Sequence, residues 1–292
     1  AYVGGNNYRY FKYDNVTLGK RQVGSVIKPF LYTLAMEQGM TPCDRVTNVP
    51  QSFIVNGEAW TPHSTDKPEM IGKTVTLKWG LTKSSNNISA YLMKVFGPEA
   101  MAKKMKQMGI SSHIDAVPSL CVGPADISLC EMVAAYNTYP SQGLYIAPLF
   151  VTRIEDNLGN VIGEFTTHGR EAMSEETASL MQNLMMGVVR NGTGYRLRTQ
   201  YKLVGEIAGK TGTTNDQSDG WFIGYTPKLT AGIWVGGEDR QIHFATLANG
   251  SGGNMACPIW GIFMSKVIKD GTLGISEEDK FPVVAGAKFN LE

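Results

Sequence analysis

Ser25 and Lys28 stand three residues apart in RQVGSVIKPF, at the head of an apolar run. A serine hydroxyl is a poor nucleophile until a base takes its proton. A lysine one helical turn away can be that base if desolvation and nearby cations lower its pKa. Backbone N–H groups at a helix start add donors for an oxyanion. A second group is Ser84 and Asn86 in LTKSSN, an S-x-N pair. Its hydroxyl can relay a proton and its amide can orient a substrate amide. Ser85 with Asn87 fits the same spacing, and a plain helix cap fits it too. The third group is Lys210, Thr211, Gly212 and Thr213 in GKTGTT. One cation and two hydroxyls suit an anionic, hydrogen-bonding ligand, and glycine lets another backbone lie alongside a strand. The plain alternative is a bulge in an ordinary strand.

These groups need elements to carry them. Ile27, Phe30, Leu31 and Leu34 recur at helical spacing up to Gly39. Pro29 is tolerated only if that helix starts near Ser25, which puts Lys28 one turn in, on the same face. Residues 41–73 carry turn residues without clear periodicity and read as irregular. Ser64-Thr65-Asp66-Lys67, a second S-x-x-K match, falls there and reads as a surface loop. Helices are predicted from Ser84 to Gly97, from Pro98 to Gly109, after a capping box of Ser128 with Glu131, and after Ser174. Met101, Met105 and Met108 read as core. Residues 150–165 read as two short strands around a turn. Further on the period changes to two, giving a three-stranded antiparallel meander with K-T-G in its first strand. A last helix is predicted from near Pro258. The opening AYVGG reads as the tail of a strand, and the chain as an excised fragment. The expected class is α+β (broadly α/β): one antiparallel sheet flanked by helices, with an inserted, mainly helical lobe. The sheet lobe takes residues 1–40 and 145–292 and the helical lobe about 41–144, in a single domain.

Composition narrows the function. Hydrophobic residues make up 42% and charged residues 18%, as in ordinary globular chains. A net charge of +1 makes no electrostatic case for nucleic acid or an anionic membrane. No apolar run reaches the roughly 18 residues of a membrane span. The four cysteines, Cys43, Cys121, Cys130 and Cys257, lack metal-site spacing and read as small buried hydrophobes. The four histidines are scattered and read as surface or hydrogen-bonded residues. No metal and no cofactor is expected.

About one S-x-x-K match arises by chance in this length, so the conjunction carries the weight. S-x-x-K, S-D-N and K-T-G in this order mark class A β-lactamases and penicillin-binding proteins, here with S-x-N for S-D-N. The chain resembles the transpeptidase domain of a class A, bifunctional penicillin-binding protein. VGGNNY, VPSLCVGPADISLCEMVAAYNTYPSQG, VVRNGTG, GKTGTTNDQSDGWFIGYTP and GGNMACPIW carry the resemblance beyond the motifs. It implies D,D-transpeptidation of peptidoglycan stem peptides ending in D-Ala-D-Ala, through an acyl-enzyme on Ser25 that β-lactam antibiotics also form. By resemblance Lys28 is the base, and Ser84 with Lys210 passes the proton to the leaving amine. Asn86 then holds the substrate amide. Thr211 and Thr213 take the terminal carboxylate, with Lys210 adding charge and Gly212 counted with them as substrate-binding, and the N–H groups of Ser25 and Thr213 form the oxyanion hole. It also implies a glycosyltransferase domain in the full-length chain and a place at the extracytoplasmic face of the bacterial membrane. Val23 departs from the family's usual proline. A serine β-lactamase shares the motifs, but its E-x-x-L-N pattern is missing; Glu155-Asp156-Asn157-Leu158 only approaches it. A D,D-carboxypeptidase, a penicillin-recognising sensor and an inactive scaffold are the other readings.

Overall fold

Every residue from Lys28 to Met36 is buried, so the helix that begins at Lys28 runs through the middle of the molecule. A helix apolar on all sides belongs in a core. The computed structural model that places it describes residues 1–5, 7 and 9–284; Asn6 and Tyr8 of the VGGNNY stretch lie outside the described residues. Strand β1 (Lys20–Gln22) leads through a single 3-10 turn, Gly24–Ile27, into α1 (Lys28–Glu37). The chain then makes β2 (Arg45–Thr47), a hairpin of β3 (Phe53–Val55) and β4 (Glu58–Trp60), and β5 (Thr74–Thr76), which pairs with β2.

Helices α2 (Leu77–Lys83), α3 (Asn86–Phe96) and α4 (Pro98–Gln107) follow. Next come β6 (Asp126–Ser128), paired with β1, and α5 (Leu129–Tyr136). The expected capping box stands at its start: Ser128 Oγ accepts from the Glu131 N–H, and Glu131 accepts from the Ser128 N–H. Short strands β7 (Leu144–Tyr145), β8 (Arg153–Glu155), β9 (Val161–Glu164) and β10 (Arg170–Glu171) lead to α6 (Glu175–Asn191), capped by Ser174 as expected. After α7 (Arg196–Thr199) the meander β11 (Ala208–Thr213), β12 (Asp219–Tyr225) and β13 (Thr230–Gly236) forms one antiparallel sheet in that order. Helices α8 (Leu247–Gly250) and α9 (Gly252–Lys269) close the described fold.

All strand pairs among the described residues are antiparallel, as the α+β class requires. Helix α1 packs against α3, α4 and α6; α6 also lies along α2 and β11. Helix α9 covers β12 and β13, burying Trp260 against Phe222. Met101, Met105 and Met108 are fully buried, as expected.

Several local expectations need correction. Residues 1–5 form no strand. The segment 41–73 is not wholly irregular, since β2, β3 and β4 lie in it. Asn56 and Gly57 turn the hairpin with φ of 53° and 84°, the left-handed pair that an Asn-Gly turn supplies. The last helix starts at Gly252, with Pro258 inside it. A Cβ on Gly252 would lie 2.1 Å from the Gly212 carbonyl oxygen, so the contact with the sheet selects glycine over a better helix former. Of the cysteines, Cys121 and Cys257 are buried, Cys130 is half-buried and Cys43 is exposed. All four histidines are exposed.

Candidate active site

The turn carrying Ser25 is fitted to β11 backbone against backbone. Gly24 has φ of +55°, and a Cβ there would lie 2.5 Å from the Thr213 carbonyl oxygen. A Cβ on Gly212 would lie 2.7 Å from the Val23 carbonyl oxygen. The close approach expected at Gly212 is therefore made by the chain's own backbone. The Val23 N–H donates to Ala125 O at 3.1 Å and the Gly24 N–H to Gly123 O at 3.0 Å. Tyr136 Oη donates to Val26 O at 2.6 Å, and Trp221 Nε1 donates to Gln22 O at 2.9 Å. Just upstream, Arg21 Nε pairs with buried Asp219 Oδ1 at 2.7 Å. Ser25 is thus half-buried on a turn braced from five sides, and its hydroxyl bonds to no described residue.

Lys28 is the first residue of α1 and is fully buried. Its Nζ donates to Ser84 O and to Asn86 Oδ1, each at 2.6 Å, and lies 3.3 Å from Ser84 Oγ. Lys210, also fully buried, donates from Nζ to Ser84 Oγ at 2.8 Å and to Thr211 O at 3.1 Å. One hydroxyl therefore lies between two ammonium groups. Burial pushes the Lys28 pKa down to about 7, against a partial upward pull from Cys121 and Asp66. Cys121 is itself buried and keeps its proton up to about 12, so of these two pulls on Lys28 the one from Asp66 is the one that counts near neutrality. Burial and then the Lys28 charge push Lys210 well below its ordinary value. A neutral Lys28 amine has two N–H bonds for the two short acceptors and a lone pair left over. That lone pair is what a general base needs.

The S-x-N register is settled by these contacts. Ser84 and Asn86 reach the lysines, whereas Ser85 caps α3 and donates to Asp66, and Asn87 donates to Asn48. Ser84 is the C-cap of α2 and sits in the left-handed region, φ 59° and ψ 36°. Of the segment expected as a surface loop, residues 64–67, the first three lie directly on this turn together with His63, whose O accepts from Asn86 Nδ2 at 2.8 Å. Nothing local in residues 63–66 announces that, because their partners lie about twenty positions later.

On β11, Thr211 and Thr213 point to one face and Lys210 to the other, as strand alternation requires. Thr211 Oγ1 shares a hydrogen bond of 2.6 Å with Thr193 Oγ1. Thr213 Oγ1 accepts from the Gly252 N–H at 3.0 Å. Each threonine hydroxyl keeps further hydrogen-bonding capacity, and the start of α9 lies beside both. Thr193 was not among the expected site residues; its N-G-T-G loop was the available signal.

A half-buried serine three residues from a lysine stripped of water is the kind of arrangement that serine acyltransferases with a lysine base use. Comparison with known proteins narrows the class. The family model described as the penicillin-binding protein transpeptidase domain matches residues 2–238, and the chain belongs to that family. The chain is 33% identical over 276 residues to penicillin-binding protein 2D of Bacillus subtilis, covering 92% of this chain and 39% of that protein. It thus spans about two fifths of that relative's length. Penicillin-binding protein 1A of Haemophilus influenzae shares the fold with a TM-score of 0.83 at 24% identity, over 92% of this chain and 45% of that one. The PonA1 protein of Mycobacterium tuberculosis, solved in complex with penicillin V, superposes with a TM-score of 0.78 at 25% identity, over 96% of this chain and 76% of that one.

Proposed function

We propose that the chain acts as a serine D,D-transpeptidase on peptidoglycan stem peptides and is acylated by β-lactams. The observation that carries this reading is the Ser84 hydroxyl held between Lys28 and Lys210, beside the turn that presents Ser25. Lys28 Nζ turns toward Ser25 and takes its proton as Oγ attacks the carbonyl between the two terminal D-alanines. The Ser25 and Thr213 N–H groups take the oxyanion, a contribution of a few kcal/mol per donor. Ser84 and Lys210 carry the proton to the departing D-alanine nitrogen, leaving an ester on Ser25. An amine of a second stem attacks that ester, gives up a proton to the base and releases the serine. Asn86 orients the donor amide. Thr211 and Thr213 bind the donor carboxylate, the donor lying along the edge strand β11.

Residues 1–292 read as one transpeptidase domain with the two lobes described above. In the full-length protein it accompanies a glycosyltransferase domain at the extracytoplasmic face of the cytoplasmic membrane. No helix among the described residues is long and apolar enough to cross a membrane.

The test is mass spectrometry after addition of a penicillin. A lasting adduct on Ser25, absent from Ser25→Ala, is expected; labelling retained in the variant removes Ser25 as nucleophile. Incubation with a stem peptide and an amine should then give the cross-linked amide. Hydrolysis alone would indicate a carboxypeptidase, rapid loss of the penicillin adduct a β-lactamase, and adduct without turnover a sensor.

A further inference from the structure

Residues 63–66 meet residues 84–87 one against one. His63 O accepts from Asn86 Nδ2 at 2.8 Å, and Ser64 Oγ accepts from Asn87 Nδ2 at 3.3 Å. Thr65 Oγ1 donates to Ser84 O at 3.3 Å, and Asp66 Oδ2 accepts from Ser85 Oγ at 2.6 Å. Ser85 is fully buried and Asp66 half-buried, so the last of these bonds is partly shielded from water.

What the contacts hold is a strained residue. A non-glycine side chain in the left-handed region is sterically strained, its Cβ crowding the following carbonyl oxygen. It persists when its surroundings over-determine it. Helix α2 holds Ser84 from both sides through backbone: the Ser84 N–H donates to Gly80 O and Leu81 O, and the Ser85 N–H donates to Gly80 O at 2.8 Å. The Ser84 carbonyl is held by Lys28 and Thr65, and the next residue by Asp66.

We propose that loop 63–66 is a clamp on the S-x-N turn, and that Asp66 is its principal positioning residue. By fixing the Ser85 side chain it adds to the backbone bonds of α2 in holding the turn, and so keeps the Ser84 hydroxyl between the two lysines. This rests on Ser84 being the proton relay. Asp66 touches no reacting atom; it acts through Ser85. Its charge has a second effect. The groups facing Lys28 are Lys210 from β11, the thiol of Cys121 and the carboxylate of Asp66. Of these only Asp66 favours the charged amine near neutrality, so its loss lowers the Lys28 pKa further.

The experiment follows acylation by a fluorescent penicillin, from about pH 5 to about pH 9, in the wild type, Asp66→Asn and Asp66→Ala. The wild type should label on Ser25 with a rate that rises through about pH 7, as Lys28 loses its proton. Asp66→Ala should lower the limiting acylation rate about 10- to 100-fold, the scale of an ångström-sized misplacement. Asp66→Asn keeps an acceptor for Ser85 and the shape of the loop. It should lose less rate and move the acid limb to lower pH. A purely structural role for Asp66 would lower the melting temperature without moving that limb. If Asp66→Ala labels within about twofold of the wild type at every pH, the clamp is refuted; where Asp66→Ala fails to fold, Ser85→Ala, which removes the donor of the same bond, is judged by the same measure, and an Asp66→Asn limb that stays in place refutes the charge effect. A wild type that takes no adduct sinks the acylation reading itself, before any variant is compared.

Discussion

The two walls of the cleft are built by different means. On the sheet side the Ser25 turn and β11 touch through backbone, and glycine at 24 and 212 is what admits the contact. On the helical side the Ser84 turn closes α2 through its own backbone, and what fixes it to the rest of the molecule is side chains: Lys28, Thr65 and Asp66. A backbone fit has no soft degree of freedom, so a single added carbon displaces the whole turn. A side-chain brace distributes its hold over several bonds, each worth about 1 kcal/mol, and yields by degrees.

The sharpest way to break this contrast is Gly24→Ala. The new Cβ meets the Thr213 carbonyl at 2.5 Å on a residue with φ of +55°. Left-handed strain and overpacking together should cost about 2–4 kcal/mol, read as a lower melting temperature, and penicillin labelling should fall at least about 100-fold. Labelling at the wild-type rate would show that the backbone fit is not needed.

Lys210→Met separates catalysis from stability within the same cleft. Burial holds the Lys210 pKa well below its ordinary value. At neutral pH folding must therefore strip a proton from it or bury its charge, and either step costs free energy. The methionine variant should be more stable, by about 1–3 kcal/mol, and slower in acylation by about 100-fold. A thermal melt and a labelling time course read the two effects; a less stable variant would contradict the electrostatic account.

The smallest effect is expected away from the cleft, at Glu131. Burial alone would raise its pKa, but hydrogen bonds from Ser112, Ser111 and Ser128 outweigh that and bring it from 4.5 to about 2. A carboxyl depressed on folding stabilises above its unfolded pKa, and the contribution disappears as pH falls through the folded value. Glu131→Gln should lose about 1–2 kcal/mol above pH 4.5, allowing for partial exposure, and the two proteins should converge near pH 2. Labelling at neutral pH should be unchanged, which melting curves across that range and one labelling assay would check.

The contrast between the walls also explains what could be read from sequence. Ser25, Lys28 and K-T-G are each short, local and chemically unusual, so they were legible before any fold was known, whereas Gly24 was not, because the backbone that requires it belongs to Thr213. Capping at Ser128 and Ser174 and the Met101, Met105, Met108 stripe were legible because helical period and cap chemistry are local as well. Asp66 was not, since its meaning lies in Ser85, nineteen residues on. The same holds for Thr193 with Thr211 and for the early start of α9, where contact with Gly212 outweighs the poor helix propensity of Gly252 and Gly253. The β3–β4 hairpin is a different failure: Asn56-Gly57 was a local signal, and the alternation around it was overlooked.

The ion pair between Arg21 and Asp219 joins positions 198 residues apart. Closing so long a loop is entropically slow, and contacts of this kind form late in folding. A polypeptide emerging during synthesis must therefore extend almost two hundred residues beyond Arg21 before the turn that bears Ser25 gains this anchor, and a fragment ending ahead of residue 219 would carry the serine without it.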